Sequence, residues 1–503
     1  MEEEKDTKLS LLLIGAIWHT LSVSDIEYLP LQALGVQNGK IIFSQPIPEN
    51  KELSRAERIN LAIQDLDNDW NWKEESQFLS PGLIDTHIHA PQFVFTGTGY
   101  DLSLLQWLET YTFPREAEFK NTDHADHVYH RVVRHTLRSG TTTACYYATT
   151  HRDSSIKLAE ICAKLGQRAY IGKVCMDRNS PDYYKETTQE SIQETTEFVK
   201  HIIDKIADPL IAPCITPRFV PSCTPELMQS LGDLAKEYNL PIQSHLSETP
   251  NEIKWVAELH PDISSYSGVY DKYNLLTSKT IMAHCVHLSE EERKLLKEKK
   301  VGISHCANSN FCLHSGMLDV RQLIEEGHDK IGLGTDVAGG YSPSIMDSMR
   351  QSLIASKVCH INHQKANPGK DYTALNFAEV FYLATLGGAK TMDLDSKIGN
   401  FVVGKDFDAL VVNYPGRLGK PLLRDTDPNY ENVSSPILKA FMGIGEKVRT
   451  LLGEGDDLIP YDPHSVNIDQ YPHDDHISLF EKFIYLGDDR NFERIYVAGN
   501  RIM

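Results

Sequence analysis

Nowhere in the chain do two cysteines stand as a Cys-x-x-Cys pair, although its 503 residues include nine cysteines, an odd number. This argues against a disulfide framework and against a four-cysteine zinc site. Several cysteines sit in apolar strand-like runs, as in Thr-Ala-Cys145-Tyr and Ile-Ala-Pro-Cys214-Ile, which suits reduced thiols in a cytosolic protein. Positive charge is scarce as well: 50 Lys and Arg stand against 70 Asp and Glu, a net of -20. That balance argues against non-specific binding to nucleic acid or to an anionic membrane and says nothing against a small substrate, which responds to local charge. No apolar run approaches membrane-spanning length. The opening MEEEKDTKLSLLLIGAIWHT places acidic residues before a short apolar run, the reverse of a secretory signal, so the expected location is the cytoplasm. Internal repeats and low-complexity tracts are absent too.

What is present divides into three zones. Residues 1–80 carry short strand-like pieces, Leu11–Ile17 and Ala33–Phe43, broken by polar segments. Residues 391–503 return to β-like pieces such as Asp408–Val412 and Arg494–Ala498, with a charged, loop-rich insertion at about 415–475 between them and one helix expected near 437–453. Between them, over 81–390, eight short apolar runs alternate with amphipathic stretches. The runs are Leu83–His89, Thr141–Tyr147, Ala169–Cys175, Leu210–Thr216, Ile242–His245, Thr280–His284, Val301–His305 and Ile331–Asp336. Glu190–Ile206, Glu226–Tyr238 and Glu290–Glu298 are expected helices. Eight β-then-α units predict an α/β fold of the (β/α)8 TIM-barrel type. An open doubly wound sheet would want a Gly-rich phosphate loop after its first strand, and none follows His89.

The first, fifth, sixth and eighth of these strands end in ligand-type residues. His87 and His89 lie i, i+2 in Pro81-Gly-Leu-Ile-Asp-Thr-His-Ile-His89, so both imidazoles point to one face of a strand. His245, His284 and Asp336 close the other three. Any one of them could be a core histidine or a helix cap, but five together at the catalytic end of a barrel would otherwise be buried polar groups without partners. Nitrogen-rich ligation with one carboxylate fits a single catalytic Zn2+, with Fe2+ as a substitute. Such an ion brings the pKa of a bound water towards ~7. Glu248, three residues past His245, is placed to shuttle protons. His124, His127 and His130 fall on an expected helix and read as a solvated or partly packed face; His305 is a candidate to line the site without being a ligand.

With these residues assembled, the chain resembles the metal-dependent amidohydrolase superfamily, through the His87-Ile-His89 motif, Ser-His245-Leu-Ser-Glu248, Ala-His284-Cys and Gly-Leu-Gly-Thr-Asp336. Within it the chain is similar to the guanine deaminase family, through Gly-Thr-Thr-Thr-Ala-Cys145-Tyr-Tyr-Ala-Thr, Thr-Pro-Arg218-Phe219, Asp336-Val-Ala-Gly-Gly-Tyr341-Ser and Tyr-Leu-Gly-Asp-Asp-Arg490-Asn. The resemblance runs from about residue 10 to the C-terminus and fades over 415–475. Pro91 and Cys285-Val-His287 depart from the pattern without replacing a group that has a chemical role.

The resemblance implies that the two terminal zones join in a small β-sandwich domain and that the enzyme is a homodimer. It also implies zinc on His87, His89, His245 and Asp336, with His284 at the metal or its water, and Gln92, Arg218 and Phe219 around a purine. The chemistry is consistent. Guanine carries its amine on C2, an amidine-like carbon to which hydroxide can add once Glu248 has protonated N3. Asp336 can take the proton of the water, and ammonia then leaves. Arg218 offers a fork of donors to O6, Gln92 both donates and accepts, and Phe219 supplies an aromatic wall. Three rivals remain. A two-metal hydrolase would want a lysine at the end of the fourth strand, where the chain instead reads Cys214-Ile-Thr-Pro-Arg218, Lys173 being in the third. A deaminase of another purine or pyrimidine would need only different loops. A non-catalytic scaffold would typically have lost ligands.

Overall fold

The N-terminal apolar runs become β1 (Leu11–Ser22), β2 (Asp25–Gln37) and β3 (Lys40–Pro46), an antiparallel meander, in a computed structural model that describes residues 11–48, 57–58, 72–413, 468 and 473–503. Asn38 and Gly39 make the β2–β3 turn with φ of 51° and 77°, the pair of left-handed residues that a tight two-residue hairpin requires. β4 (Trp72–Pro81) then runs parallel to β1.

The middle of the chain alternates as its pattern predicts. Its strands are β5 (Leu83–His89), β6 (Thr141–Tyr147), β7 (Arg168–Gly172), β8 (Val174–Cys175), β9 (Ile211–Pro213) and β10 (Thr216–Pro217), followed by β11 (Ile242–Leu246), β12 (Thr280–His284), β13 (Gly302–His305) and β14 (Ile331–Leu333). The expected third strand is split into β7 and β8 and the fourth into β9 and β10, and the eighth stops three residues short of Asp336. β5-β6-β7-β9 and β11-β12-β13-β14 form two parallel sheets, and β8 pairs with β10. Every residue of β5 and β6 is buried, as strands covered on both faces must be.

Backbone hydrogen bonds link the two sheets at both ends. Ile215 donates to the Pro241 carbonyl and Gln243 to that of Ile215; on the other side Asp336 donates to His87 (2.9 Å) and His89 to Val337 (3.0 Å). Helices Thr122–Arg138, Thr188–His201, Pro225–Tyr238 and Glu290–Glu298 lie between the strands. The last starts in a capping box of Ser289 and Glu292, which satisfies two otherwise orphaned backbone donors. His124, His127 and His130 do fall on a helix, with His127 exposed.

The chain then returns to its beginning. β15 (Ala409–Val412) pairs antiparallel with β4, β16 (Phe492–Val497) with β15, and β17 (Asn500–Arg501) with β16. The order β17-β16-β15-β4-β1-β2-β3 makes a single seven-stranded sheet from both terminal zones, over a core that includes Leu13, Leu34, Val36, Phe407, Val411 and Tyr496. Arg168, buried, bridges Asp406 and Asp408 and so ties β7 to the segment entering β15. By contacts the chain forms two units, 1–413 with 492–503 and 414–491. In the second, helix His476–Leu486 is capped by Asp475. Most of the expected insertion at 415–475, including the helix near 437–453, lies outside the described residues. Among the described residues no helix is long and apolar enough to cross a membrane.

Candidate active site

β5 delivers His87 and His89 from its last turn of pleat, β11 delivers His245, and the segment after β14 delivers Asp336. One nitrogen or oxygen from each of these four lies within 4.8 Å of the others. The backbone bends to achieve this: Asp336, Ser247 and His284 have φ of 46°, 50° and 68°, left-handed values that non-glycine residues adopt at a cost and that cluster where side chains are aimed. His89 Nε2 and His245 Nε2 are 3.2 Å apart. His245 Nδ1 donates to the Arg218 carbonyl at 2.6 Å, so its Nε2 presents a lone pair to the centre. His87 Nε2 is buried with no hydrogen-bond partner. Asp336 Oδ1 lies 3.2 Å from His87 Nε2 and 3.4 Å from His89 Nε2.

Electrostatics put each group in the form a cation needs. Burial lowers the pKa of His87, and burial followed by the charge of His87 pushes His89 and His245 well below the usual imidazole range. Burial works against ionisation of Asp336, but His87 first, then His284 and His89, hold its carboxyl well below the ordinary value. Three neutral imidazoles and one carboxylate form a donor set for a divalent ion.

His284 stands beside this group. Its Nδ1–H donates to Asn310 Oδ1 (2.9 Å), and its Nε2 lies 3.6 Å from both Glu248 Oε2 and Asp336 Oδ2. Burial would depress its pKa, yet the carboxylates of Glu248 and Asp336 outweigh that and raise it. Glu248 is buried, accepts from Ser315 Oγ at 2.8 Å, and has its pKa pushed up chiefly by burial. A single cavity joins His89, His245, His284, Asp336 and Glu248 to Gln92, Arg218 and Phe219, walled by Leu104, Trp107, Leu108 and Leu313. The nine residues singled out from sequence thus converge on one place. His305 ends β13, buried, but does not line the cavity, and burial lowers its pKa to about 4. Lys173 is taken up by Glu186 Oε1 (2.6 Å) and the Val174 carbonyl, as a single-metal centre would leave it.

Three carboxylates at or beside the site went unnoticed in the sequence. Glu116 receives Arg218, Gln92 and Tyr184. Glu252 accepts from the Glu248 amide (3.0 Å) and from Tyr266 (2.7 Å), its pKa raised to about 7 by burial and by Glu248; the Thr249-x-x-Glu252 capping box was its signal. Asp85, fully buried, accepts from the His87 and Thr335 amides (3.1 Å each) and from Thr335 Oγ1 (2.6 Å), binding β5 to the approach to Asp336. Asp85→Ala would strand these donors in the interior, and unfolding of the metal-free protein in urea should show a loss of about 3 kcal/mol. A loss below half of that would mean water replaces the carboxylate.

Comparison with known proteins agrees with this geometry. The model of the amidohydrolase family matches residues 78–452. Guanine deaminase of Dictyostelium discoideum is 45% identical over 503 residues, covering 99% of each chain. The guanine deaminase of Mus musculus is 44% identical, covering 98% of this chain and 97% of its own. Among solved structures, guanine deaminase from C. acetobutylicum with guanine bound in its active site superposes with a TM-score of 0.77 at 34% identity, covering 98% of this chain and all of that one.

Proposed function

The chain belongs to the amidohydrolase family and within it to the guanine deaminases, and on that footing we propose that it hydrolyses guanine to xanthine and ammonia. The observation that carries the reading is the juxtaposition, in one cavity, of the His87–His89–His245–Asp336 donor set with Glu248 and with Gln92, Arg218 and Phe219. Zinc is the ion we assign to the four ligands, with Fe2+ as the alternative, because three imidazoles and a carboxylate suit either. When bound, the ion supplies acidified water usable as hydroxide near neutral pH.

The remaining work belongs to the chain. Phe219 and the Trp107–Leu108 wall exclude water and bury the planar base. Arg218 donates to O6, and Gln92 meets the ring edge. Glu248, whose pKa burial raises, gives a proton to N3 and makes C2 electrophilic. Asp336 removes a proton from the attacking water, and His284, its pKa raised by the carboxylates of Glu248 and Asp336 beside it, stabilises the oxygen that develops on C2. Collapse of the tetrahedral carbon breaks the C2–N bond: the amine takes the proton held by Asp336 and leaves as ammonia, while the hydroxyl on C2 gives its remaining proton back to Glu248 and becomes the carbonyl of xanthine. We also read the two parallel sheets as one closed (β/α)8 barrel and the terminal seven-stranded sheet as the small β domain expected of the two terminal zones. Cytoplasmic location and a homodimer complete the proposal, the first supported by nine free cysteines.

Ammonia release from a panel of purines and pyrimidines, with elemental analysis of the same preparation, tests the reading. Turnover of another base with none of guanine would refute the substrate. Arg218→Ala should raise KM for guanine about a hundredfold and leave metal content unaltered, since the Arg218 carbonyl that holds His245 remains. Parallel losses of metal and affinity would make Arg218 a structural residue.

A further inference from the structure

Glu116, in the short helix Phe113–Ala117 after β5, has no solvent exposure and receives four hydrogen bonds. Arg218 Nη1 and Nη2 donate to its two oxygens at 2.7 and 3.2 Å, Gln92 Nε2 donates at 2.8 Å, and the Tyr184 hydroxyl at 2.8 Å. Arg218 and Gln92 both line the cavity, whereas Glu116 and Tyr184 stand behind them.

We propose that Glu116 is the positioning residue that makes the site selective for a 6-oxopurine, by fixing which hydrogen-bonding groups Arg218 and Gln92 turn towards the base. The proposal rests on the functional reading above. A carboxylate only accepts, so the amide of Gln92 must face it with Nε2, and the Ala338 amide, which only donates, holds Gln92 Oε1 from the other side at 3.2 Å. Gln92 therefore cannot flip and offers the cavity one N–H and one lone pair in a set arrangement. The fork of Arg218 spends one N–H of each terminal nitrogen on Glu116, and its guanidinium lies 5.3 Å from the centroid of the Phe113 ring. What remains towards the cavity is donors alone. An oxygen at C6 satisfies those donors; an amine at C6 meets them donor to donor, which leaves buried groups unpaired and costs affinity. Without Glu116 the guanidinium loses its orientation and Gln92 is free to turn, so discrimination at C6 goes although neither contact residue has changed.

The test compares Glu116→Gln with the unaltered enzyme in KM and kcat for guanine, in metal content, and in the inhibition constant of 2-aminopurine, which has the same amine and no 6-oxygen. We expect KM for guanine to rise about tenfold or more, kcat to change by less than about threefold, and the 2-aminopurine constant to stay within about twofold. Glu116→Asp should recover part of the loss. Should Glu116→Gln not fold, Tyr184→Phe, which removes one of the four hydrogen bonds, reads the same split at about two- to threefold. Equal shifts for guanine and 2-aminopurine, or an unchanged KM, would overturn the inference while leaving guanine deamination standing. An unaltered enzyme inactive on guanine would overturn the functional reading and this inference with it.

Discussion

Glu248→Gln is expected to lower kcat for ammonia release by about 10³-fold with the metal still bound, within the range that a positioned general acid–base contributes. Glutamine has the same shape, and its Oε1 can still accept from Ser315 Oγ, so cavity and neighbours stay in place. What disappears is a proton that can be gained and lost. Burial of Glu248 raises its pKa, which keeps protonated acid available closer to neutral pH than an exposed glutamate would, and no other titratable carboxyl in the cavity is free to substitute. Glu252 is already spent on the Glu248 amide and on Tyr266. Single-turnover rates with elemental analysis on one sample decide the matter. Near-normal turnover would sink the proton-shuttle role, and loss of metal would show that Glu248 acts by shaping the ligand set.

Stripping the ion with a chelator is expected to have the larger effect: ammonia release falls to background and returns when zinc is restored. Alanine at any one of His87, His89, His245 or Asp336 should reduce metal stoichiometry and activity together. The pH dependence has a definite sign. Metal binding needs neutral imidazoles, and the three ligand histidines have pKa values lowered by burial. Protonation, and with it release of the ion, therefore sets in below the ordinary histidine range near 6.5. Dialysis across a pH series, with the retained metal measured at each step, should show loss only on the acid side of that value. Loss already at neutral pH, or full activity in metal-free protein, would contradict the assignment.

The candidate ligand set was legible in the sequence because each member closes an apolar run, and for the three histidines, which end or lie within strands, the periodicity fixes the facing of the side chain. His87 and His89 needed only the two-residue repeat. Arg218 and Gln92 could be read only through family motifs, and what they touch could not be read at all. Glu116 is more than a hundred residues from Arg218, in a segment, Phe-Pro-Arg-Glu116-Ala-Glu, that looks like any charged helix start. Nothing local distinguishes a glutamate buried under a guanidinium from one in water. The same holds for Asp85, which passes in the sequence for part of the His-x-His motif and in the fold ties two strand ends together. The shortening of the eighth strand has a local cause: Asp336 leaves the extended conformation to aim its carboxylate, so the strand cannot continue to it.

The seven-stranded sheet also sets a timetable. Pro81 of β4 and Ala409 of β15 are register partners, yet residues 82–408 are all synthesised between them. At about 5–20 residues per second, β4 waits roughly twenty to sixty seconds on the ribosome with that edge unpaired. An open strand edge is a template for pairing with another chain. Protein made faster than chaperones can cover that edge should be lost to aggregation during synthesis, well before the finished fold has any weakness to expose.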